Sequence, residues 1–116
     1  MTPPHDASAP AAVHLLLPTG EMLDLPPTAS WVIGRATPRG PPVDINLTPY
    51  GASEHGVSRQ HARICQTAAG CTIEDLGSHN ETSLNNARIS IGQCYPLADG
   101  DHILLGVFRL VFVIDT

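Results

Sequence analysis

The sequence predicts an all-β domain, because turn residues are abundant, charges are few and no stretch has the periodicity of a normal helix. Its 116 residues include 11 prolines and 10 glycines, whereas charged residues make up only 15%. Short apolar segments separated by frequent turns are typical of β-sandwiches and β-barrels. A hydrophobic share of 42% suffices for the core of one domain. We therefore predict a loop-rich sandwich or barrel of about eleven strands with no substantial helix.

The first twelve residues contain little that could be buried. Pro3, Pro4 and Pro10 stand among small residues, and this composition favours disorder. We predict a disordered tail or linker over residues 1–12, followed by one domain over residues 13–116. The predicted strands of that domain are short segments bounded by turn residues: 13–17, 22–25, 30–34, 44–47, 60–66, 71–75, 83–85, 88–91, 93–97, 102–105 and 108–114.

Turn residues and alternation support the strands of the first half. Pro18-Thr19-Gly20 separates the first two strands, and Pro26-Pro27 ends the second because proline cannot donate a backbone hydrogen bond. Trp31 and Ile33 lie two residues apart and should share the buried face of the third strand. Residues 35–58 then form a long irregular segment, which is typical of a binding loop.

The second half shows the same pattern with clearer alternation. Residues 67–70 should connect two strands whose inward residues include Ala62, Ile64, Cys71 and Ile73. Asp99-Gly100-Asp101 is a strong turn signal. In the last strand, every second residue is a large apolar one, which predicts one buried face: Phe108, Leu110, Phe112 and Ile114.

The charge distribution excludes some partners and favours others. The formal net charge is −5 and lysine is absent, so we expect no nucleic-acid binding. Residues 35–63 nevertheless contain four arginines against two carboxylates, a net of +2 that leaves −7 for the remainder. A positive loop region on an acidic body suits one anionic group, although a general preference for arginine over lysine would give the same count.

Cysteine, hydropathy and histidine patterns bear on the cellular location, on membrane insertion and on metal binding. The three cysteines form no CxxC motif and no apolar leader begins the chain, so we expect a cytoplasmic location. No run approaches the roughly 18 apolar residues that a membrane span needs. The six histidines show no ligand spacing with the cysteines, and we expect neither a metal nor another cofactor.

Three polar segments each join a predicted strand end to a polar loop and supply groups that bind anions. They are residues 33–35 (Ile-Gly-Arg), 56–62 (Gly-Val-Ser-Arg-Gln-His-Ala) and 75–85 (Asp-Leu-Gly-Ser-His-Asn-Glu-Thr-Ser-Leu-Asn), and residues 97–101 (Leu-Ala-Asp-Gly-Asp) follow in order. Their order and spacing resemble the forkhead-associated (FHA) domain, an eleven-stranded β-sandwich that binds phosphothreonine peptides. The resemblance extends over roughly residues 13–115.

The resemblance implies a role for each matching residue. Arg35 would pair with phosphate oxygens, Ser58 would donate its hydroxyl to the phosphate, and Arg59 would add a charged contact. His79 would touch the ligand, and Asn80 would align the peptide backbone. Read without the resemblance, Ser58 could instead cap a turn and Asn80 could simply form one.

Three further residues would support the site rather than contact the ligand. Gly34 precedes Arg35 at a strand end, and Thr82 follows the asparagine loop. The family counterpart of His61 ties loops together by hydrogen bonds, which implies a structural role here. We therefore do not read Ser58 and His61 as a nucleophile and its base, since no third member or oxyanion loop accompanies them.

One residue departs from the family pattern. The family has Asn-Gly-Thr where this sequence has Asn80-Glu81-Thr82. If the glycine is needed for a positive φ, glutamate would cost roughly 1–2 kcal/mol and would place a carboxylate near the anion site. Alternatively, the loop adopts another turn. Asn85-Asn86 replaces the usual Asn-Gly, a milder change because asparagine tolerates that backbone.

The function implied is recognition of phosphothreonine peptides in Ser/Thr kinase signalling, not catalysis. The expected partner is a phosphothreonine-containing protein, such as a Ser/Thr kinase or its substrate, bound by a monomeric domain. The alternative is an FHA-like scaffold that has lost phosphate binding and makes phosphorylation-independent contacts. Glu81 favours that alternative, whereas Arg35, Ser58, Arg59 and Asn80 oppose it.

Overall fold

The computed structural model describes residues 12–115, which contain eleven β-strands and one 3-10 turn, Thr48–Tyr50. The strands are β1 (Ala12–Leu16), β2 (Met22–Asp24), β3 (Ser30–Gly34), β4 (Ile45–Asn46), β5 (Ala62–Thr67), β6 (Gly70–Asp75), β7 (Thr82–Leu84), β8 (Ala87–Arg88), β9 (Cys94–Leu97), β10 (His102–Leu105) and β11 (Phe108–Asp115). Within this part of the chain, that three-residue turn is the longest helical element, so none could cross a membrane.

The strands form two sheets. The five-stranded sheet has the order β9-β6-β5-β3-β4, and the six-stranded sheet has the order β2-β1-β11-β10-β7-β8. Neighbouring strands are antiparallel except β3 and β4, which pair in parallel through Ile33 and Ile45. The predicted all-β sandwich of about eleven strands without a substantial helix is confirmed.

The core follows from alternation along the strands. Trp31 and Ile33 are buried on β3, as are Ala62, Ile64, Cys71 and Ile73 on β5 and β6. On β11 the alternate residues Phe108, Leu110 and Phe112 are buried, whereas Ile114 is only half-buried. Trp31 also satisfies its indole N–H, which donates to the Pro26 carbonyl at 2.8 Å. The predicted inward faces are therefore correct, apart from partial exposure at Ile114.

Several strand ends differ from the prediction. Strand β5 begins at Ala62 rather than Gln60, and β8 ends at Arg88 rather than Ile91. The β7–β8 turn is Asn85-Asn86, not Asn86-Ala87, because both asparagines have positive φ angles (51° and 71°), as a two-residue hairpin turn requires. Of the predicted tail, residues 1–11 lie outside the described residues, and Ala12 begins β1.

Candidate functional site

Loops from β3, β5 and β6 meet at one open cavity of about 540 Å³, which we call the arginine cavity. It lies where β3 and β6 end and just before β5 begins. Its lining is Arg35, Pro41, Ser58, Arg59, Gln60, Leu76, Gly77, Ser78 and His79. These nine residues include two arginines and a histidine but no carboxylate, so the cavity attracts anions.

Gly34 lets the ends of two loops approach closely. A Cβ on Gly34 would lie 2.1 Å from the carbonyl oxygen of Arg59 and 2.7 Å from that of Ser58. The next backbone N–H, that of Arg35, donates to the same two carbonyls at 3.1 and 3.2 Å. No side chain fits at position 34 without moving the backbone that carries Ser58 and Arg59.

The Arg35 side chain is half-buried and held in place. Its Nε donates to the Val57 carbonyl at 3.1 Å. Neither terminal NH2 group has a hydrogen-bond or ion-pair partner within residues 12–115. Arg35 therefore presents two donor groups to the arginine cavity in a fixed orientation.

The Ser58 hydroxyl is oriented by a bond from the opposite loop. Its Oγ accepts from the His79 backbone N–H at 2.9 Å, which joins the loop before β5 to the loop after β6. The hydroxyl proton is then available to donate to an acceptor in the cavity. Ser58 also donates its backbone N–H to Nδ1 of His61 at 2.9 Å.

His61 is fully buried and joins three segments. Because Nδ1 accepts from Ser58, the ring proton sits on Nε2, which donates to the Glu81 carbonyl at 2.8 Å. Its backbone N–H donates to the Ile33 carbonyl, and its carbonyl accepts from the Leu76 N–H. Burial lowers the pKa of His61, opposed by the hydrogen bond to Glu81 and the charge of Asp75, and the bond accepted from Ser58 N–H requires an unprotonated Nδ1. His61 is thus placed for structural support.

Asn80 does not line the arginine cavity, but its side chain connects its loop to the loop that carries Gly56. The Asn80 side-chain NH2 donates to the Gly56 carbonyl at 3.0 Å. Gly56 has φ +79°, and a Cβ there would lie 2.7 Å from Asn80 Nδ2. The Asn80 side-chain oxygen has no partner among the described residues, so it can accept from a peptide N–H.

Glu81 keeps the left-handed backbone, with φ 71°, so the loop has not adopted a different turn. Its carbonyl accepts from His61 Nε2 and from the Gly106 N–H at 3.0 Å, which fixes that backbone. Its carboxylate pairs with the Arg88 guanidinium across the β7–β8 hairpin. Next to it, Thr82 is fully buried, and its Oγ1 has no hydrogen-bond partner in the described part of the chain.

Asp75 is a supporting residue that the sequence analysis missed. Its buried carboxylate accepts from the backbone N–H groups of Gly77 (3.0 Å) and Ser78 (2.8 Å) and from the Ser78 hydroxyl (3.1 Å). These bonds shape the turn that carries His79 and Asn80. The signal was present as Asp-x-Gly-Ser, a pattern in which aspartate bonds the backbone two residues on.

A second cavity of about 420 Å³, the neighbouring cavity, lies on the other side of the 75–81 loop. Its lining is Asp75, Ser78, Glu81, Arg88, Ile89, Ser90 and Ile91, so Ser78 belongs to both cavities. Neither cavity holds a metal-ligand cluster: within residues 12–115, no three His, Cys, Asp or Glu side chains are grouped for that purpose.

Comparisons with known proteins agree with this architecture. The FHA domain family matches residues 31–106, more than half of the chain. Protein FraH of Nostoc sp. is 41% identical over 90 residues, which cover 77% of this chain and 30% of FraH. An FHA domain-containing protein of Arabidopsis thaliana is 34% identical, and the matched region covers 24% of that protein. The chain thus spans less than a third of the length of these curated relatives.

Solved structures show the same similarity. One, from work on phosphothreonine-dependent FHA domain interactions, has 32% identity and a TM-score of 0.70, covering 90% of this chain and 98% of that one. EmbR of Mycobacterium tuberculosis, solved in complex with a low affinity phosphopeptide, has 31% identity and a TM-score of 0.74, covering 91% of this chain and 25% of EmbR. The chain belongs to the FHA domain family.

Proposed function

We propose that this domain binds phosphothreonine peptides in the arginine cavity. The observation that carries the proposal is that Arg35 and Ser58 line the same cavity. Arg35 offers two terminal NH2 groups without a carboxylate partner among the described residues, and Ser58 offers a hydroxyl proton whose oxygen is already fixed by His79. A phosphate has oxygens enough to accept from both at once.

The surrounding residues extend the contact from a phosphate to a peptide. Arg59 and His79 line the same cavity and add positive or polar contacts. Asn80, held by Gly56, can accept from the backbone of an extended peptide. The phosphothreonine-dependent interactions of one structural relative and the phosphopeptide bound to EmbR support the same ligand class. The proposed partner is a Ser/Thr kinase or its substrate, bound by the domain as a monomer.

The geometry favours binding over catalysis at Ser58. His61 accepts from the Ser58 backbone N–H, and the Ser58 hydroxyl bonds His79 instead. A general base must reach the hydroxyl proton that it removes. His61 lacks that contact and is buried, so it does not activate Ser58.

A phosphorylation-independent scaffold is the second candidate, and Glu81 is the observation that favours it. The residue occupies a left-handed backbone that glycine prefers, and it adds a carboxylate next to Asn80. However, the Glu81 carboxylate is paired with Arg88 and does not line the arginine cavity. The scaffold candidate therefore explains less of the site than phosphopeptide binding does.

A titration with degenerate peptide pools tests the proposal. Pools with a fixed central phosphothreonine and matched pools with threonine would be titrated against the purified domain by fluorescence anisotropy. We expect saturable binding of the phosphorylated pools only, and loss of that binding after phosphatase treatment. Binding of both pools alike would support the scaffold, and the absence of any binding would contradict the proposal.

A further inference from the structure

The outward face of the six-stranded sheet has a row of side chains on β11 that is charged at its ends and apolar in its middle. The residues that alternate with the buried ones on this strand are Arg109, Val111, Val113 and Asp115. The two valines are partly exposed, whereas the arginine and the aspartate are exposed. The row therefore runs from a positive charge across two apolar side chains to a negative charge.

Outward residues of the neighbouring strands widen the apolar middle of this row. Val111 lies opposite Leu16 of β1, and Leu16 lies opposite Met22 of β2, which is 45% exposed. On the other side of β11, the partly exposed Leu104 of β10 lies opposite Arg109. We call the five outward apolar residues the sheet patch: Leu16, Met22, Leu104, Val111 and Val113.

The outward face of the five-stranded sheet is more polar. Val32, Arg63 and Glu74 lie side by side there, and Arg63 pairs with Glu74 at 3.5 Å. The next row includes Ser30 and Thr72. Charged side chains that pair within one face need no partner from another molecule. The sheet patch instead brings apolar side chains of four strands together at the surface, which is typical of a protein contact surface.

The charges around the sheet patch lie at its two ends. At one end, Arg109 has no carboxylate partner within residues 12–115. At the other end, His14 lies between two carboxylates: its Nδ1 is 2.7 Å from Asp24 and its Nε2 is 3.5 Å from Asp115. One imidazole ring carries at most one positive charge, so at least one of these carboxylates lacks a counter-charge. The sheet patch is thus positive at one end and negative at the other.

We propose that the sheet patch binds the sheet patch of a second copy of this domain, with the two β11 strands antiparallel. A two-fold axis between the two sheets, at the level of Phe112 and perpendicular to β11, places Arg109 of each copy on Asp115 of the other. The same axis places Val111 of each copy on Val113 of the other. The surface is therefore complementary to itself, as a two-fold interface requires. A partner surface with charge of one sign only would leave one end of the patch unmatched.

The size of the sheet patch makes this association weak. Arg109 and Asp115 are six residues apart on β11, which is about 20 Å, and four strands are about 19 Å wide. The resulting area of roughly 400 Å² per copy is below the roughly 800 Å² per partner of a stable interface. We expect a dissociation constant of about 0.1–1 mM, so that the domain is a monomer at the micromolar concentrations of a peptide titration.

The pairing leaves the arginine cavity free. Strand β11 begins at the end of the domain that carries the cavity, because the turn before it donates from Gly106 N–H to the Glu81 carbonyl and from Val107 N–H to the His55 carbonyl. Antiparallel β11 strands therefore direct the two arginine cavities to opposite ends of the pair. Resting on the proposed function, a pair of domains holds two phosphorylated partners at once, and phosphopeptide does not compete with the pairing.

Charge-reversal variants test the pairing. Wild type, Arg109→Asp, Asp115→Arg and the control Arg39→Asp would be compared by sedimentation equilibrium from about 10 µM to about 2 mM, a range that includes the expected dissociation constant. Arg39 is exposed and lies in the segment between β3 and β4 of the other sheet. Its variant therefore has the same net charge as Arg109→Asp but keeps the sheet patch intact.

We expect the variants at positions 109 and 115 each to weaken self-association at least about 10-fold, because like charges then face each other. Arg39→Asp should stay within about twofold of wild type. An equimolar mixture of Arg109→Asp and Asp115→Arg should associate about as wild type does, since both aspartates of one chain then face arginines of the other. Association of the mixture would also show that both variants are folded.

Three results would overturn the inference. Wild type could remain a monomer up to about 2 mM, Arg39→Asp could weaken association as much as Arg109→Asp does, or the mixture of the two variants could fail to associate. A saturating phosphothreonine peptide should leave the association of wild type unchanged. If the peptide abolishes it, the copies meet through the arginine cavity and the inference is wrong. Self-association is measured without peptide, so the pairing stands even if the domain binds no phosphopeptide.

Discussion

The arginine cavity and the neighbouring cavity share Ser78 and the 75–81 loop but differ in how their charges are paired. In the neighbouring cavity, the Arg88 guanidinium pairs with Glu81 and the Asp75 carboxylate accepts three hydrogen bonds. In the arginine cavity, the guanidinium of Arg35 has no carboxylate within the described chain. An arginine offers its full charge to a ligand only where no carboxylate already holds it. Two adjacent cavities of similar size thus have different chemistry.

Replacing His61 should remove hydrogen bonds beside both cavities and give the largest predicted loss of stability. His61 accepts from Ser58 N–H on the arginine side and donates to the Glu81 carbonyl on the other. In His61→Ala both groups lose a buried partner, at about 1–3 kcal/mol each. We expect the free energy of unfolding to fall by about 2–6 kcal/mol in urea denaturation. The exposed His79→Ala serves as control and should change it little; equal losses would contradict the structural role of His61.

The same residue makes stability depend on pH. Burial lowers the pKa of His61 below its usual 6.5, so the unfolded chain binds the proton more readily than the folded domain does. Unfolding then takes up a proton, and stability should fall as pH drops below about 6.5. Thermal unfolding between pH 7.5 and 5 should show this decline in wild type and a shallower one in His61→Gln. Parallel declines in the two proteins would assign the effect to other groups.

Matched substitutions in the two cavities should separate their roles. Arg35→Gln removes the charged donor of the arginine cavity, and charge-assisted bonds of this kind contribute about 1.5–3 kcal/mol, or roughly 10- to 150-fold in affinity. Arg88→Gln removes the same charge from the neighbouring cavity, where Glu81 already balances it. For Arg88→Gln we expect the phosphopeptide affinity to stay within about twofold of wild type. Comparable losses in both variants would show that the ligand spans both cavities.

Glu81 variants should sharpen the comparison with smaller effects. Glu81→Gly relieves the positive φ, worth about 1–2 kcal/mol, against about 0.5–1 kcal/mol for the freedom that glycine adds to the unfolded chain. We expect a net stabilisation of about 0.5–1 kcal/mol, measured by chemical denaturation. Glu81→Gln should give none, because it keeps a Cβ.

Both Glu81 variants should bind phosphopeptide slightly more tightly, by less than about threefold, with the gain shrinking as salt rises. The gain is small because Arg88 already neutralises the Glu81 carboxylate. Freeing Arg88 adds positive charge beside the site, and the double variant Glu81→Gln/Arg88→Gln should cancel that part. Weaker binding in either single variant would contradict this electrostatic account.

A further predicted effect concerns the residue that carries the phosphate. Phosphothreonine differs from phosphoserine by one methyl group. The site can discriminate between the two only if one of its walls packs against that methyl group. Burying a methyl group is worth about 0.8 kcal/mol, or roughly fourfold in affinity, and an empty pocket would add to this. We expect phosphothreonine to bind several-fold more tightly than phosphoserine in matched peptides. Equal affinities would mean that no methyl pocket exists here.

Local signals were sufficient for most of the fold. Alternation on β11 and the turn residues between strands predicted the sandwich, and the spacing of the three polar segments predicted which loops form the cavity. Strand ends were less predictable because they depend on distant partners. The predicted strand 88–91 stops at Arg88, since the Ser90 N–H donates to the Tyr95 hydroxyl at 2.9 Å rather than to a neighbouring strand.

The backbone conformation of Glu81 and its ion pair with Arg88 could not be predicted from the sequence for a similar reason. Its φ is held by bonds from His61 and Gly106, and its carboxylate meets Arg88 only because the Asn85-Asn86 turn sets the register of β7 and β8. The sequence gives the residue types but not this register. A carboxylate that the sequence places beside an anion site is therefore paired within the neighbouring cavity.

Chemical-shift mapping with a phosphothreonine peptide tests the central claim most directly. The uniformly ¹⁵N-labelled domain would be titrated with the peptide and then with its unphosphorylated form. We expect the phosphopeptide to shift the backbone amides of residues 35, 58–59 and 79–80 most, with the amides of residues 88–91 little changed and no shifts from the unphosphorylated form. Shifts centred on residues 88–91, or identical shifts with both peptides, would contradict the claim that unpaired arginine charge makes the arginine cavity a phosphate site.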